Sequence, residues 1–158
     1  MKKKIGISSK CLDGNHILMM DFDIPRGGNR VDLLVGLLAK ISEMVKLYGL
    51  PDFCIFKTKH GFHVVCFAKM SLNSVLGVYG EFKPLADGAH IRIGGGTCKR
   101  FILRVGGEIE PLMVYTGYNE SQYQTSTAHI KFFSESYEIK VRDQNPDENG
   151  IVVFELWE

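Results

Sequence analysis

A chain of 158 residues with 45% hydrophobic and 23% charged residues can bury the core of one compact domain and is short for two. Lys and Arg total 19 against 18 Asp and Glu, a net charge of +1, so no global field draws the chain toward nucleic acid or membrane. Any such partner has to be met by a local patch.

The longest apolar segments are broken by Asp32, Lys40, Glu43 and Lys46, well short of the roughly 18 uncharged residues of a membrane span. The basic start Met1–Lys4 is followed by Ile5–Lys10, which is no apolar signal region, so export is not expected. Cys11, Cys54, Cys66 and Cys98 form no CxxC pair, and Cys54 and Cys66 sit inside apolar runs. This predicts thiols used as small core residues in a reducing, cytoplasmic setting.

In chain order, Ile17–Asp23 reads as a buried strand ended by Pro25 and Gly27-Gly28. Asn29 predicts a helix cap, and Leu34, Leu38, Ile41, Val45 and Tyr48 recur at helical spacing until Gly49 and Pro51. The helix of about residues 30–48 should therefore pack through that stripe. Phe53–Lys57 and Phe62–Phe67 predict an antiparallel hairpin across Thr58–Gly61, with Gly61 free to take positive φ. Ser71 can cap a shorter helix through Leu72, Val75, Leu76 and Tyr79, and Pro84 with Asp87-Gly88 leads into a strand at His90–Ile93.

This order predicts an α+β fold: an RRM or ferredoxin-like antiparallel sheet with two helices on one face and the other face open to ligands. Gly94–Gly96 reads as a hairpin turn, since the Gly-Lys-Ser/Thr ending of a phosphate loop is absent. Arg100–Val105 alternates basic and apolar residues as a strand does. Met113–Tyr115 reads as a strand, and Tyr137–Val141 and Ile151–Leu156 around the Asn145–Gly150 turn predict a C-terminal β-hairpin. With no repeat and no linker, residues 1–158 are read as a single domain, its core at about 17–105 and a β-rich extension at about 106–158.

Asp21 and Asp23 stand two apart on a strand, so both carboxylates project to one face while Met20 and Phe22 enter the core. Adjacent carboxylates repel unless a cation lies between them, which suits Mg²⁺ or Mn²⁺; the other use of strand-end acids is to solvate a turn. His63 lies on the third strand of the inferred order, on the side of Val65 and Phe67, where it could share that face and hydrogen-bond a phosphate. Arg92, Arg100 and Arg104, with Lys99 nearby, form a basic cluster able to hold triphosphate or a nucleic-acid backbone, or a solvated sheet face.

The strand Leu18-Met19-Met20-Asp21-Phe22-Asp23 and the hairpin Thr58-Lys59-His60-Gly61-Phe62-His63 resemble two signature motifs of the archaeo-eukaryotic primase, or primase-polymerase, superfamily. The first is an apolar strand ending in Asp-x-Asp; the second is a small hydroxyl residue, a Gly and a His on the next strand, with Thr58 where Ser is more usual. The resemblance spans about residues 17–105 and implies a minimal or degenerate member of that family. It implies Asp21 and Asp23 as metal ligands, catalytic with His63, and an RRM-like core. It also implies a third acid, for which Asp87 and Glu108 are the candidates. Thr58, Lys59, His63, Arg92, Arg100 and Arg104 are the implied nucleotide or nucleic-acid contacts.

The function so implied is nucleotidyl transfer in DNA replication or repair, with a nucleoside triphosphate, a DNA or RNA template and a replication protein such as a helicase as partners. A non-catalytic RRM-like nucleic-acid-binding protein would instead need stacking aromatics on the central strands. A rolling-circle replication endonuclease would need paired metal-binding histidines and a nucleophile drawn from Tyr79, Tyr115 or Tyr118.

Overall fold

The computed structural model describes residues 4–82, 85, 102–104, 109–148 and 154–157. Strand β1 (Lys4–Ser8) is followed by β2 (His16–Asp23), α1 (Arg30–Tyr48), β3 (Phe53–Lys57), β4 (Gly61–Met70) and α2 (Leu72–Phe82). Then come β5 (Ile102–Arg104), β6 (Glu110–Tyr115), α3 (Thr127–Tyr137) and β7 (Phe154–Trp157). A four-stranded antiparallel sheet has the order β2-β4-β3-β6, and a three-stranded sheet the order β5-β1-β7.

The fold is thus α+β with an antiparallel sheet, compatible with a ferredoxin-like arrangement: the first strand of the motif lies beside the third, and the second lies on the third's far side. The expected strand at 90–93 lies outside the described residues. Among the described residues no helix is long and apolar enough to cross a membrane.

Local chemistry explains α1. The Asn29 side chain accepts from the Asp32 amide at 2.9 Å, and Gly49 takes the left-handed conformation, φ 65°, that closes the last turn. Its buried stripe is Leu33, Leu37, Ile41, Met44 and Val45, while Leu34 and Leu38 flank it half-buried and Tyr48 is exposed. The expected stripe is therefore rotated by about one position: both leucine pairs satisfy helical spacing, and only the packing against β2 and β4 selects between them. With α2 contributing Val75, Val78, Tyr79 and Phe82, this helical layer covers Leu18, Met20, Phe22, Phe62, Val64 and Cys66.

The opposite face of the sheet is not open. Met19, Cys54, Phe56, Val65 and Phe67 form a second core with Ile7, Cys11, Ile130 and Phe133. Phe133 meets Phe56 and Phe67 at ring-centroid distances of 5.6 Å each, and Tyr137 meets Phe56 at 5.1 Å. What seats α3 there is an extended approach. The Lys69 amide donates to the Gln124 carbonyl and the Ser126 amide to the Phe67 carbonyl, so the chain runs beside β4 just before Ser126 caps α3.

This corrects the C-terminal reading. Tyr137 ends α3, residues 138–141 form no strand, and β7 pairs with β1, so the hairpin expected from Tyr137–Val141 and Ile151–Leu156 is absent. The apolar spacing of Ile130, Phe133 and Tyr137 is that of a helix, and Ser126 is its cap.

Polar groups stitch these layers together. His129, fully buried, donates from Nε2 to the Ser8 carbonyl at 2.8 Å, so its Nδ1 accepts from the Ser126 hydroxyl at 2.6 Å. His16 lies 3.0 Å from the Ser9 hydroxyl. Lys69 bridges Asp13 at 2.5 Å and Asp147 at 3.0 Å. Burial alone would lower its pKa, but the hydrogen bonds to these two carboxylates outweigh that and raise it. Arg142 donates to the buried Asp52 through Nη2 at 2.6 Å and Nε at 3.1 and 3.2 Å, fastening the C-terminal segment to the start of β3.

Leu37→Ala is expected to cost about 2–5 kcal/mol as a large-to-small change at a fully buried site, and Leu38→Ala distinctly less; urea unfolding of both variants checks the assignment of the stripe. Burial also holds the pKa of His129 and His16 below the usual 6.5. The unfolded chain therefore binds the protons first, and stability, complete above about pH 6.5, should fall as the pH drops through that value. For His129, Asp147 opposes this depression and Lys69 reinforces it. In His16→Gln/His129→Gln, the change of urea midpoint between pH 7 and 5.5 should be shallower than in the parent.

Candidate functional site

Asp21 and Asp23 close β2, and His63 opens β4 two residues after Gly61. The antiparallel register sets Asp21 directly across from His63 and Asp23 across from Gly61. Alternation then sorts the side chains: Phe22 and Phe62 enter the helical core, while Asp21, Asp23 and His63 share the face of Met19 and Val65. His63 Nε2 stands 3.5 Å from Asp21 Oδ1, with the two side chains 10% and 14% exposed. The expectation that strand pairing brings these residues to one face is met at the Asp23 and Gly61 end of the β2–β4 pair.

Gly61 makes this pairing possible, for a reason other than the expected one. It is not among the glycines at positive φ. A Cβ there would lie 1.7 Å from the Phe22 carbonyl oxygen and 2.9 Å from the Asp23 Cα, so only glycine lets β4 approach the end of β2 this closely. Arg30 secures the turn from the helix side. It donates through Nη1 to the Gly61 carbonyl at 2.7 Å and through Nη2 to the Thr58 and Lys59 carbonyls at 3.1 Å each, with its guanidinium 5.3 Å from the centre of the Phe62 ring.

The remaining expected residues are distributed differently. Thr58 and Lys59 line a cleft with Arg30, Lys57 and Glu110. Lys57 continues the side of Phe53 and Ile55, which face the helical core, so this cleft lies across the sheet from Asp21 and His63. Arg104 lies in β5, in the other sheet, opposite Gly6. Asp87, Arg92, Lys99, Arg100 and Glu108 lie outside the described residues. Arg30, Lys57 and Glu110 were not singled out by motif reasoning. Arg30 reads in sequence as the first residue after a cap, and nothing local shows that it reaches the hairpin.

A divalent cation would find hard oxygen donors in Asp21 and Asp23, which share one face at the end of β2. Among the described residues, no group of three or more His, Cys, Asp or Glu is gathered tightly enough to hold a metal by itself. The donor set fits the kind of site in which one or two carboxylates hold Mg²⁺ and substrate phosphates complete the shell.

Tyr79, a nucleophile candidate, is buried; its hydroxyl donates to the Met19 carbonyl at 2.6 Å and accepts from the Met19 amide at 2.8 Å, and burial pushes its pKa up. Those bonds give it a structural post. No family model matches the chain, and no curated protein or solved structure was found to be similar to it.

Gly61→Ala should force β4 away from the end of β2. Loss of stability by at least about 2 kcal/mol, with amide exchange in residues 20–23 and 61–64 accelerated more than in α1, is the expected result.

Proposed function

We propose that the chain is a metal-dependent nucleotidyltransferase of the primase-polymerase type, acting in DNA replication or repair. The observation that supports this reading most is the register of Asp21 against His63, with Asp23 on the same face. In this reading Asp21 and Asp23 hold Mg²⁺ or Mn²⁺, and the cation supplies charge neutralisation at the attacking hydroxyl and the leaving pyrophosphate.

The chain's own groups prepare that end of the sheet. The Asp21 carboxylate faces His63 Nε2 and orients the ring, so that the imidazole would lie against a phosphate of an incoming nucleoside triphosphate. Gly61 and Arg30 hold the turn that keeps the ring in register. A DNA or RNA template and a replication protein such as a helicase complete the proposal. The buried free thiols of Cys11, Cys54 and Cys66 accord with a reducing, cytoplasmic setting.

The RRM-like binding alternative is less well supported, because Phe56 and Phe67, the aromatics a base would stack on, are buried beneath α3. A rolling-circle endonuclease gains nothing from Tyr79, whose hydroxyl is engaged, or from His60, which is exposed in the turn.

Mn²⁺ should raise the melting temperature of the parent, by the equivalent of about 2.7 kcal/mol at one hundred times its dissociation constant. Asp21→Asn/Asp23→Asn should fold with an unchanged circular dichroism spectrum yet show neither that response nor template-directed nucleotide addition. Equal responses of the two proteins to Mn²⁺, or none in either, would sink the reading.

A further inference from the structure

The cleft at the β3–β4 turn has a chemistry of its own. Arg30, Lys57, Thr58, Lys59 and Glu110 line an open cleft of about 280 Å³ on the helix side of the sheet. Three cations stand there against one carboxylate, in a chain whose net charge is only +1. Among the described residues no carboxylate lies within ion-pair distance of Arg30, Lys57 or Lys59. Cations gathered without such partners repel one another, and an anion entering between them relieves that cost.

The walls are already in place. Arg30 ties down the Thr58, Lys59 and Gly61 carbonyls, and the Thr58 amide donates to the Gly61 carbonyl at 3.0 Å. A ligand would therefore not have to order the turn on binding. The guanidinium donors not spent on these carbonyls, the two lysine ammonium groups and the Thr58 hydroxyl are all donors suited to phosphate oxygens. Glu110 cannot hold a phosphate; it can accept from a hydroxyl beside one. It stands across from Lys57 in the β3–β6 register, which sets an acceptor next to the donors.

We propose that this cleft binds a phosphate ester, with Arg30, Lys57, Thr58 and Lys59 on the phosphate and Glu110 on a neighbouring sugar hydroxyl. This site lies on the opposite face from Asp21 and His63 and does not depend on the metal reading. The ester can come from a free nucleotide or from a nucleic-acid backbone, since both present the same group.

The test titrates pyrophosphate, adenosine 5′-monophosphate and a short single-stranded oligonucleotide into the full chain, followed by calorimetry and backbone amide shifts. Saturable one-to-one binding with shifts centred on residues 57–60 and 110 is expected for adenosine 5′-monophosphate or the oligonucleotide, the two phosphate esters. Lys57→Gln/Lys59→Gln, at exposed positions that leave the fold intact, should weaken it at least about tenfold. Lys57→Arg/Lys59→Arg should retain it. Glu110→Gln should weaken the monophosphate ester and not pyrophosphate.

Preference for the oligonucleotide, with a salt slope that falls in the double Gln variant, identifies a backbone phosphate; preference for the monophosphate identifies a free nucleotide. Asp21→Asn/Asp23→Asn should bind the phosphate probe as the parent does, so failure of the metal site and failure of this cleft are separately visible. No saturable binding of either ester, or binding undiminished in Lys57→Gln/Lys59→Gln, overturns the proposal.

Discussion

The organisation of the molecule depends on β4 being apolar on both faces. Phe62, Val64, Cys66 and Ala68 need cover on one side, and Val65 and Phe67 on the other. An antiparallel strand with one wet face would alternate apolar with polar residues, whereas a strand buried twice reads as a continuous apolar run. Two helices can shield only one of those faces. The second must be supplied from elsewhere in the chain, and the extended segment at 124–126 running beside β4 delivers α3 to it. The burial of His129, Ser8, Ser9 and His16 brings polar groups into this layer, and they are satisfied in pairs, His129 with the Ser8 carbonyl and the Ser9 hydroxyl with His16.

Toward the Asp23 and Gly61 end the strands stay closely packed, with His63 8% and Phe56 1% exposed, and it is the chemistry of the side chains that changes. At the end of the sheet the sequence changes from apolar to Asp21, Asp23 and His63 on one face, and to Lys57 with Glu110 on the other. The two faces are linked through a single turn. Arg30 grips its carbonyls from the helix side, and Gly61 lets its second strand close on β2. A shift of that turn would move His63 relative to Asp21 and reshape the cleft at the same time. The acid–imidazole pair and the basic cleft thus flank one turn on opposite faces of the sheet.

Charged groups elsewhere serve assembly. Lys69 holds Asp13 and Asp147, from the loop before β2 and the segment after α3, and Asp147 in turn accepts from the Thr127 amide at the start of α3 at 3.0 Å. Asp52 gathers Arg142 and the Gly117 amide. Each pair joins segments distant in sequence, and losing Arg142 or Lys69 would leave the buried carboxylate of Asp52 or Asp147 without its cation.

By itself the sequence determined the elements whose signals are local. The β2–α1–β3–β4–α2 order, the Asn29 cap, the Gly49 stop and the hairpin follow from spacing, capping and turn chemistry acting over a few residues. So does the sharing of a face by Asp21 and Asp23, because strand alternation is a property of the backbone. The unbroken runs Phe53–Phe56 and Val64–Ala68 also carried the sign that the sheet has no open face, though not the identity of what covers it. That choice, the rotation of the α1 stripe from Leu34 and Leu38 to Leu33 and Leu37, and the pairing of β7 with β1 were decided only by tertiary structure. The same holds for the reach of Arg30 to the turn and for the need for glycine at position 61. Each depends on which surfaces meet across long separations in sequence, and local preferences, nearly degenerate at those positions, leave that to be settled by packing.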